Sequence, residues 1–531
     1  MNGARTALFI ARADFLERVR RYSFLVVLAA AFFACYQVYV GHIALIVSGV
    51  RGTMNSAWMG ALMSLTGSAL LGYCGFYVVN NSLALDQRTR LDQILAATPL
   101  TKSQYIAGKA LSNFALLAVI VVVLMGVSIP LQLAAGEDRA IHPLVLFGPF
   151  VLVALPAMAL VAALAVLFES IRWLRGAWGN VLYFFLFTFI LTGDFTRVLP
   201  DFTDLLRTQA SIEAVAAVQV PTYKPGYFVF GAGGGIPKRG LVWNGLPASL
   251  DRLYTSLLVL ATAAALCCLA IVCFRRFAER TRAEGPSGAP RGGLAWFLSA
   301  GPAALWARIA PRGAGTPQSA AAHPLALLNA PVRRGFSLVS LFTGELRLLL
   351  NGLPWWWYAG VIGGFIAAFN LSEKDYRASL LFAWIWPLAV WSRMGCREAR
   401  SHTEEIIFTS AHPLARLLPL SWLAGFTTAL VAAGGVLLRA TLLGDTAGIV
   451  ATLAGAVFIP SLALALGACV GSSKPFEAIF TCIWYIGPLN RAVPLDFTQL
   501  SAPVVSATPW LLYSACGIGL AVAGRWMKLH R

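Results

Sequence analysis

The chain has 531 residues, of which 58% are hydrophobic and only 12% charged. Soluble domains carry about a quarter charged residues, so soluble, disordered and fibrous classes are excluded and a polytopic membrane protein is expected. The formal net charge of +18 is assigned to basic loops held against anionic lipid, with no nucleic-acid partner.

In chain order, residues 1–22 can form a helix ahead of the first apolar run. Leu8, Phe15, Leu16 and Val19 share one side, and Asp14, Glu17, Arg18 and Arg21 the other, with Arg12 on the apolar side. The spacing predicts an interfacial helix along the inner leaflet. Arg5, Arg12, Arg18, Arg20 and Arg21 precede a run long enough to span, and no small-residue cleavage site follows it. That run is therefore expected to remain in the mature protein.

A bilayer core needs about 20 apolar residues per helix. Six spans are read at residues 23–47, 57–79, 110–133, 144–168, 178–192 and 254–274. A stretch rich in Gly, Pro, Ala and Arg follows from 275 to 334 and reads as a linker. Six more spans are read at 353–370, 379–394, 417–438, 447–470, 479–489 and 510–524, the fifth of these very short. The expected fold is all-α, with about twelve transmembrane helices as two parallel six-helix repeats carrying interfacial and coupling helices. The expected divisions are a first half at 1–282, a cytoplasmic linker at 283–334 and a second half at 335–531.

Loop charge sets the orientation. Arg88, Arg90, Lys102 and Lys109 follow the second span, Arg172 and Arg175 the fourth, and Arg275-Arg276 the sixth. The opposite short loops hold only Arg51 and Arg139. Arg393, Arg397, Arg400 and Arg416 repeat the bias, as do Arg525, Lys528 and Arg531 in the tail. By the positive-inside rule both termini and the linker face the cytoplasm. Two long outside loops then lie at 193–252 and 490–509, the first with Asp194, Asp201, Asp204 and Glu213.

Several patterns are given their plainer meaning. Gly231-Ala232-Gly233-Gly234-Gly235 lacks the third glycine and the strand–helix context of a dinucleotide site, so a turn is expected. Trp355-Trp356-Trp357 reads as an aromatic belt. The nine cysteines show no CxxC spacing and read as small packing residues. No clustered nucleophile and base is visible, so the chain is not expected to be an enzyme.

The strongest pattern is a repeat in the loop after the second span of each half. Residues 83–114 read LALDQRTRLDQILAATPLTKSQYIAGKALSNF, and residues 395–426 read GCREARSHTEEIIFTSAHPLARLLPLSWLAGF. An offset of 312 aligns Asp86 with Glu398, Arg88 with Arg400, Gln93 with Glu405, Ile94 with Ile406, Leu95 with Ile407 and Thr98 with Ser410. Leu91, Ile94 and Leu95 fall at helical spacing, with charges including Asp92 on the other face. Thr98-Pro99 would stop that helix. In the second copy Thr403 and Glu404 lead into Ile406 and Ile407. The apolar side of such a segment needs either the membrane surface or a partner's groove, and the residues favour neither.

The first copy resembles the cytoplasmic coupling segment of ATP-binding-cassette (ABC) permeases of the type-2 exporter class. The resemblance rests on Asp86, Arg88, Leu91, Ile94, Leu95, Thr98, Pro99, Leu100, Thr101, Tyr105, Gly108 and Lys109. The second copy departs from it, with Ala411 in place of Pro99 and Leu420-Ser421 in place of Gly108-Lys109. The resemblance implies the permease subunit of an ATP-driven exporter in a bacterial cytoplasmic (inner) membrane. Its two halves would move an amphipathic or hydrophobic substrate, such as an antibiotic, drug, peptide or lipid. It implies that each coupling segment docks on a separate ABC ATPase, two copies per chain, and that flanking charges such as Asp86 and Glu398 pair with that partner. No GxxxxGK[ST] occurs in the chain, so ATP and magnesium are expected on the partner and no cofactor on this chain. The alternative is an ion-coupled secondary transporter with two six-helix halves. Such carriers place ionisable residues in mid-membrane, whereas Glu169, Arg172, Arg393 and Glu477 fall near span ends.

Overall fold

The computed structural model describes residues 3–47, 49–80, 82–88, 91–96, 98–171, 174–196, 203–220, 223–224, 228–232, 238–246, 250–274, 337–351, 353, 355–373, 375–401, 403, 413–489, 496–498 and 519. Packing divides the chain into two units, Met1–Gly285 and Pro286–Arg531.

In the first unit, α1 (Gly3–Val19) leads into α2 (Tyr22–Val40). Gly41 ends α2 in the left-handed region at φ 83, where its N–H and that of His42 reach the last carbonyls of the helix. Only a residue without a Cβ takes that conformation cheaply. The apolar run after it is therefore strand β1 (Ile43–Val47), not the tail of a span. With β2 (Val50–Gly52), β3 (Phe228–Ala232) and β4 (Lys238–Leu241) it forms a sheet in the order β3-β1-β2-β4. β1 runs antiparallel to β3, with Ile43 opposite Ala232 and Val47 opposite Phe228. Gly231 and Ala232 thus belong to a strand rather than the expected turn, and 233–237 lie outside the described residues.

The helices continue with α3 (Ser56–Val79), broken by a π turn at Leu71–Gly75. Short α4 (Ser82–Arg88) and α5 (Leu91–Ala96) precede α6 (Lys102–Ala135). Thr101 and Gln104 form a reciprocal capping box at the start of α6, which fixes where that helix begins. At 34 residues α6 is about 50 Å long, so it outreaches a bilayer core. Then come α7 (Pro143–Ser170), α8 (Ala177–Thr196), α9 (Leu205–Gln219) and α10 (Leu250–Cys273). α7 packs along α10 and α6, and α1 lies against the start of α6. One end of the unit carries α4 and α5, and the other carries the sheet.

The second unit has α11 (Leu338–Leu350), α12 (Trp355–Asn370), α13 (Ser379–Ile385), α14 (Leu388–Trp391) and α15 (Arg397–Ser401). It continues with α16 (Pro413–Ala432), α17 (Gly434–Leu442), α18 (Thr446–Val470) and α19 (Lys474–Trp484). α11 packs on α16, α12 on α17, and α16 on α18.

Among the described residues the regular structure is helical apart from the small sheet, and the long apolar helices fit a multi-pass membrane protein. The expected twelve spans are not all met. Among the described residues five helices, α3, α6, α7, α10 and α18, are long and apolar enough to cross a membrane. The number rises to seven if α1 with α2 and α16 with α17 each count as one bent span, bent by 71° and 62°. The physical reasons are local. Run 379–394 is divided between α13 and α14 at Pro387, which cannot donate to a helix ladder. α12 has 16 residues and α19 has 11, short of the 17 or more that a span requires. The twelfth run, 510–524, lies outside the described residues apart from 519.

Candidate functional site

At the α4–α5 end of the first unit, charged side chains from three helices meet under cover. Lys109 of α6 places Nζ 2.8 Å from Asp14 Oδ1 of α1 and 2.9 Å from Asp86 Oδ2 of α4. It also donates to the Ser82 carbonyl at 3.3 Å. Tyr105, one turn earlier on α6, donates its hydroxyl to Asp86 Oδ2 at 2.6 Å. Arg18 sits one turn after Asp14 with Nε 3.0 Å from Asp14 Oδ2, and its Nη1 donates to Asn113 Oδ1 at 2.6 Å and to the Val79 carbonyl at 3.2 Å. Asp14, Arg18, Asp86 and Lys109 are all buried. Two acids and two bases balance, which is the condition for burying charge at a tolerable desolvation cost.

A third carboxylate serves the backbone. Glu169, near the end of α7, accepts from the Ser82 N–H at 2.8 Å and the Leu83 N–H at 2.6 Å. These are orphan donors at the start of α4, and an anion is favoured there by the helix dipole. α4 is thus held at its first turn by Glu169 and at its second by Lys109 and Tyr105.

Two features let α1 reach α6. Gly108 stands where a Cβ would come within 2.9 Å of Ile10 Cβ and 3.0 Å of the Ala7 carbonyl oxygen, so the glycine permits close approach and brings Asp14 within reach of Lys109. One charged pair of α1 then faces the protein: Ala11, Asp14 and Arg18 are buried, while Leu8, Phe9 and Leu16 are exposed together with Arg5, Arg12 and Glu17.

α5 stands on this base. Leu95 packs against a core of Leu83, Tyr105, Ile106, Val166, Leu167, Ala270 and Phe274. Leu91 and Ile94 point away from that core and are 41% and 65% exposed. Thr98 Oγ1 donates to the Leu95 carbonyl at 2.7 Å and ends the segment, and Pro99 beside it is exposed.

Of the residues singled out by sequence, the structure therefore joins Asp86, Tyr105, Gly108 and Lys109 in one internal arrangement. Asp86, expected to meet a partner's charge, is buried against Lys109 and Tyr105 because that is where its desolvation is compensated. Leu91 and Ile94 form an outward pair, with Thr98 and Pro99 after them. Arg88 and Asp92 lie on α4 and α5, with side chains outside the described residues. Asp14, Arg18, Ser82, Asn113 and Glu169 complete the site. Only the i, i+4 spacing of Asp14 and Arg18 and the acid at the end of an apolar run signalled them in the sequence.

The second unit has a related arrangement. Glu345 of α11 is buried and pairs with Arg397 of α15, Nη1 to Oε2 at 3.1 Å, with the Ser421 hydroxyl of α16 beside it. Burial pushes the Glu345 carboxyl above the ordinary range, the Arg397 charge offsets part of this, and the Glu398 charge adds to it. Leu338, Val339 and Leu348 of α11 are exposed, as are the leucines of α1. Glu398 and Arg400 lie on α15, Arg400 exposed. Glu404, Glu405, Ile406 and Ser410 lie outside the described residues.

Compared with known proteins, the chain matches no protein-family model and no curated protein sequence.

Proposed function

We propose that the chain is the membrane-spanning subunit of an ATP-driven transporter, with α5 as the contact for a separate ATPase. The observation that carries the reading is the pairing of an outward apolar edge with a braced base. Leu91 and Ile94 are exposed on a six-residue helix, and the adjoining α4 is tied by buried charges to α1 and α6. A partner that covers Leu91 and Ile94 gains apolar burial. Displacing α5 then moves α4 and α6 together, because a buried ion pair is costly to separate.

In this reading α15 and residues 402–412 form a second contact, Glu345 and Arg397 replacing Asp14 and Lys109, and the two units are six-helix repeats. ATP and magnesium sit on the partner, two copies of which serve one chain. The substrate is hydrophobic or amphipathic, which suits the Leu-, Ala-, Val- and Phe-rich spans. The membrane is a bacterial inner membrane with both termini cytoplasmic. Resistance to amphipathic toxins should fall on deletion of the gene, and an unchanged resistance with altered ion content would remove this substrate class.

The test is affinity purification in mild detergent with mass spectrometry and an ATPase assay. An ATP-binding-cassette ATPase should co-purify at about two copies per chain. Leu91→Asp with Ile94→Asp should lose it while the melting temperature holds. A folded chain that comes down alone, without ATPase activity, overturns the proposal.

The ion-coupled carrier is favoured by one observation, the burial of Asp14, Asp86 and Lys109. Their charge balance and their position beside the first three turns of α6 suit a structural tie better than a proton relay, which works in mid-membrane. Proton uptake coupled to transport in proteoliposomes would favour the carrier.

A further inference from the structure

At the sheet end of the first unit, a cavity of about 160 Å³ lies between α3, α7, α10 and the segment that enters α9. Most of its wall is apolar, with Ala61 and Leu65 of α3, Leu144 and Leu152 of α7, and Trp243. One side is polar. Asp204 and Arg252 line it together, 6% and 8% exposed, with Arg252 Nε donating to Asp204 Oδ2 at 2.8 Å.

Asp204 is unusual in two independent ways. It occupies the N-cap position of α9, where an aspartate ordinarily accepts from the first N–H groups of the helix, yet its side chain makes no such bond. Its backbone lies at φ 57, the one positive value at a non-glycine residue among those described. A residue held in that region is over-determined by its surroundings, and such positions cluster at ligand sites. The second carboxylate oxygen, Oδ1, is buried and accepts no hydrogen bond among the described residues, with Arg207 Nη1 at 3.7 Å. A buried carboxylate oxygen without a donor is costly. The polar side of the cavity therefore presents an acceptor in need of a donor, beside an otherwise apolar space.

We propose that this cavity is a binding site for a neutral amphiphile, its apolar body against α3 and α7 and a hydroxyl head donating to Asp204 Oδ1. The size fits one ring or a short chain segment, since an apolar cavity of about 150 Å³ holds benzene. The head is a donor because Oδ1 lacks one. It is uncharged because Arg252 and Arg207 flank Asp204 at 2.8 and 3.7 Å, which disfavours a cation beside it, while an anion offers Oδ1 no proton. Leu144 at the rim is 91% exposed, so a longer tail has a way out into the bilayer. A hydroxylated lipid and a free amphiphile share this chemistry. The site stands independently of the ATPase reading, and its test involves no ATPase.

The experiment uses the full chain in nanodiscs of phosphatidylcholine, whose head has no N–H or O–H donor. An octanol carrying a diazirine is photolysed and its adducts are mapped by mass spectrometry. Adducts are expected within 57–65, 144–153 and at Trp243. 1-Octanol should suppress them about tenfold better than octane, the worth of one hydrogen bond to a charged group. Ala61→Leu, which fills the space, should cut labelling about tenfold or more. Asp204→Ala should erase the advantage of octanol over octane. Repeating the experiment in phosphatidylglycerol, which carries hydroxyls, names the source: lost labelling identifies a resident lipid, retained labelling a free amphiphile. The proposal is overturned if octane competes as well as octanol on the unaltered chain, or if adducts spread evenly over exposed helices. Should Ala61→Leu not fold, the octanol and octane comparison on the unaltered chain decides alone.

Discussion

Lys109 holds two carboxylates at 2.8 and 2.9 Å with almost no solvent, so its removal would leave Asp14 to Arg18 and take from Asp86 the cation that Nζ supplies. Breaking a buried pair from one side costs about 3–5 kcal/mol. Lys109→Ala should lower the unfolding free energy in detergent by that order, and a loss under about 1 kcal/mol would mean that the charges are solvated. Asp86 is then a residue of the fold before it is a residue of any interface. Glu345 gives the second unit a pH dependence. Its carboxyl is raised above the ordinary 4.5 by burial first, with Arg397 opposing and Glu398 adding. The folded state therefore holds a proton that the unfolded state has released. That contribution is fully present below about pH 4.5 and is lost as pH rises through the raised value. Stability measured from pH 4 to 8 should fall more in the unaltered chain than in Glu345→Gln, and parallel curves would remove Glu345 as the source.

At the scale of elements, α1 turns one ion pair inward: Asp14 and Arg18 are buried, while Leu8 and Leu16 are exposed beside Arg12 and Glu17. What keeps it in place is the closeness that Gly108 allows. Gly108→Val would add atoms against Ile10 and the Ala7 carbonyl, an overpacking worth about 1–3 kcal/mol. The expected outcome is that α1 lifts from α6. An Ala11→Cys side chain, buried in the parent, should react faster with a maleimide in the Gly108→Val background, and Gly108→Ala should show a smaller change. Equal rates would mean that α1 is held by something other than this contact. α5 is the complementary case: it is too short to be stable alone, and it persists because Leu95 is packed and Thr98 closes its end.

For the whole molecule, the proposed reading puts the basic loops on the cytoplasmic side. In that orientation Arg139→Cys and Glu373→Cys should label from outside intact cells, and Ser103→Cys only after permeabilisation. Inside labelling at Glu373 would overturn the orientation proposed for its loop. The span number belongs to this scale as well. Composition and hydropathy determined that the chain is helical and apolar enough for a membrane, and Thr98-Pro99 marked the end of α5. They also placed α3, α6, α7, α10 and α18 close to their observed positions. Continuous apolar runs carry no period, however, so nothing local distinguished residues 43–47 as strand. β1 formed because Gly41 turned the chain and residues 228–232, far along the sequence, supplied the hydrogen-bond partners. The site divides in the same way. The loop sequence marked Asp86, Gly108 and Lys109 as a group, and Leu91 with Ile94 as an apolar edge. Only the tertiary structure turned Asp86 inward, joined it through Lys109 to Asp14, and assigned Glu169 to the first turn of α4. The acids of α1 and α11, Asp14 and Glu345, are 331 residues apart, so an offset of 312 could not align them. A buried charge takes its partner from whatever helix packing brings within about 3 Å, and that distance is set by the fold.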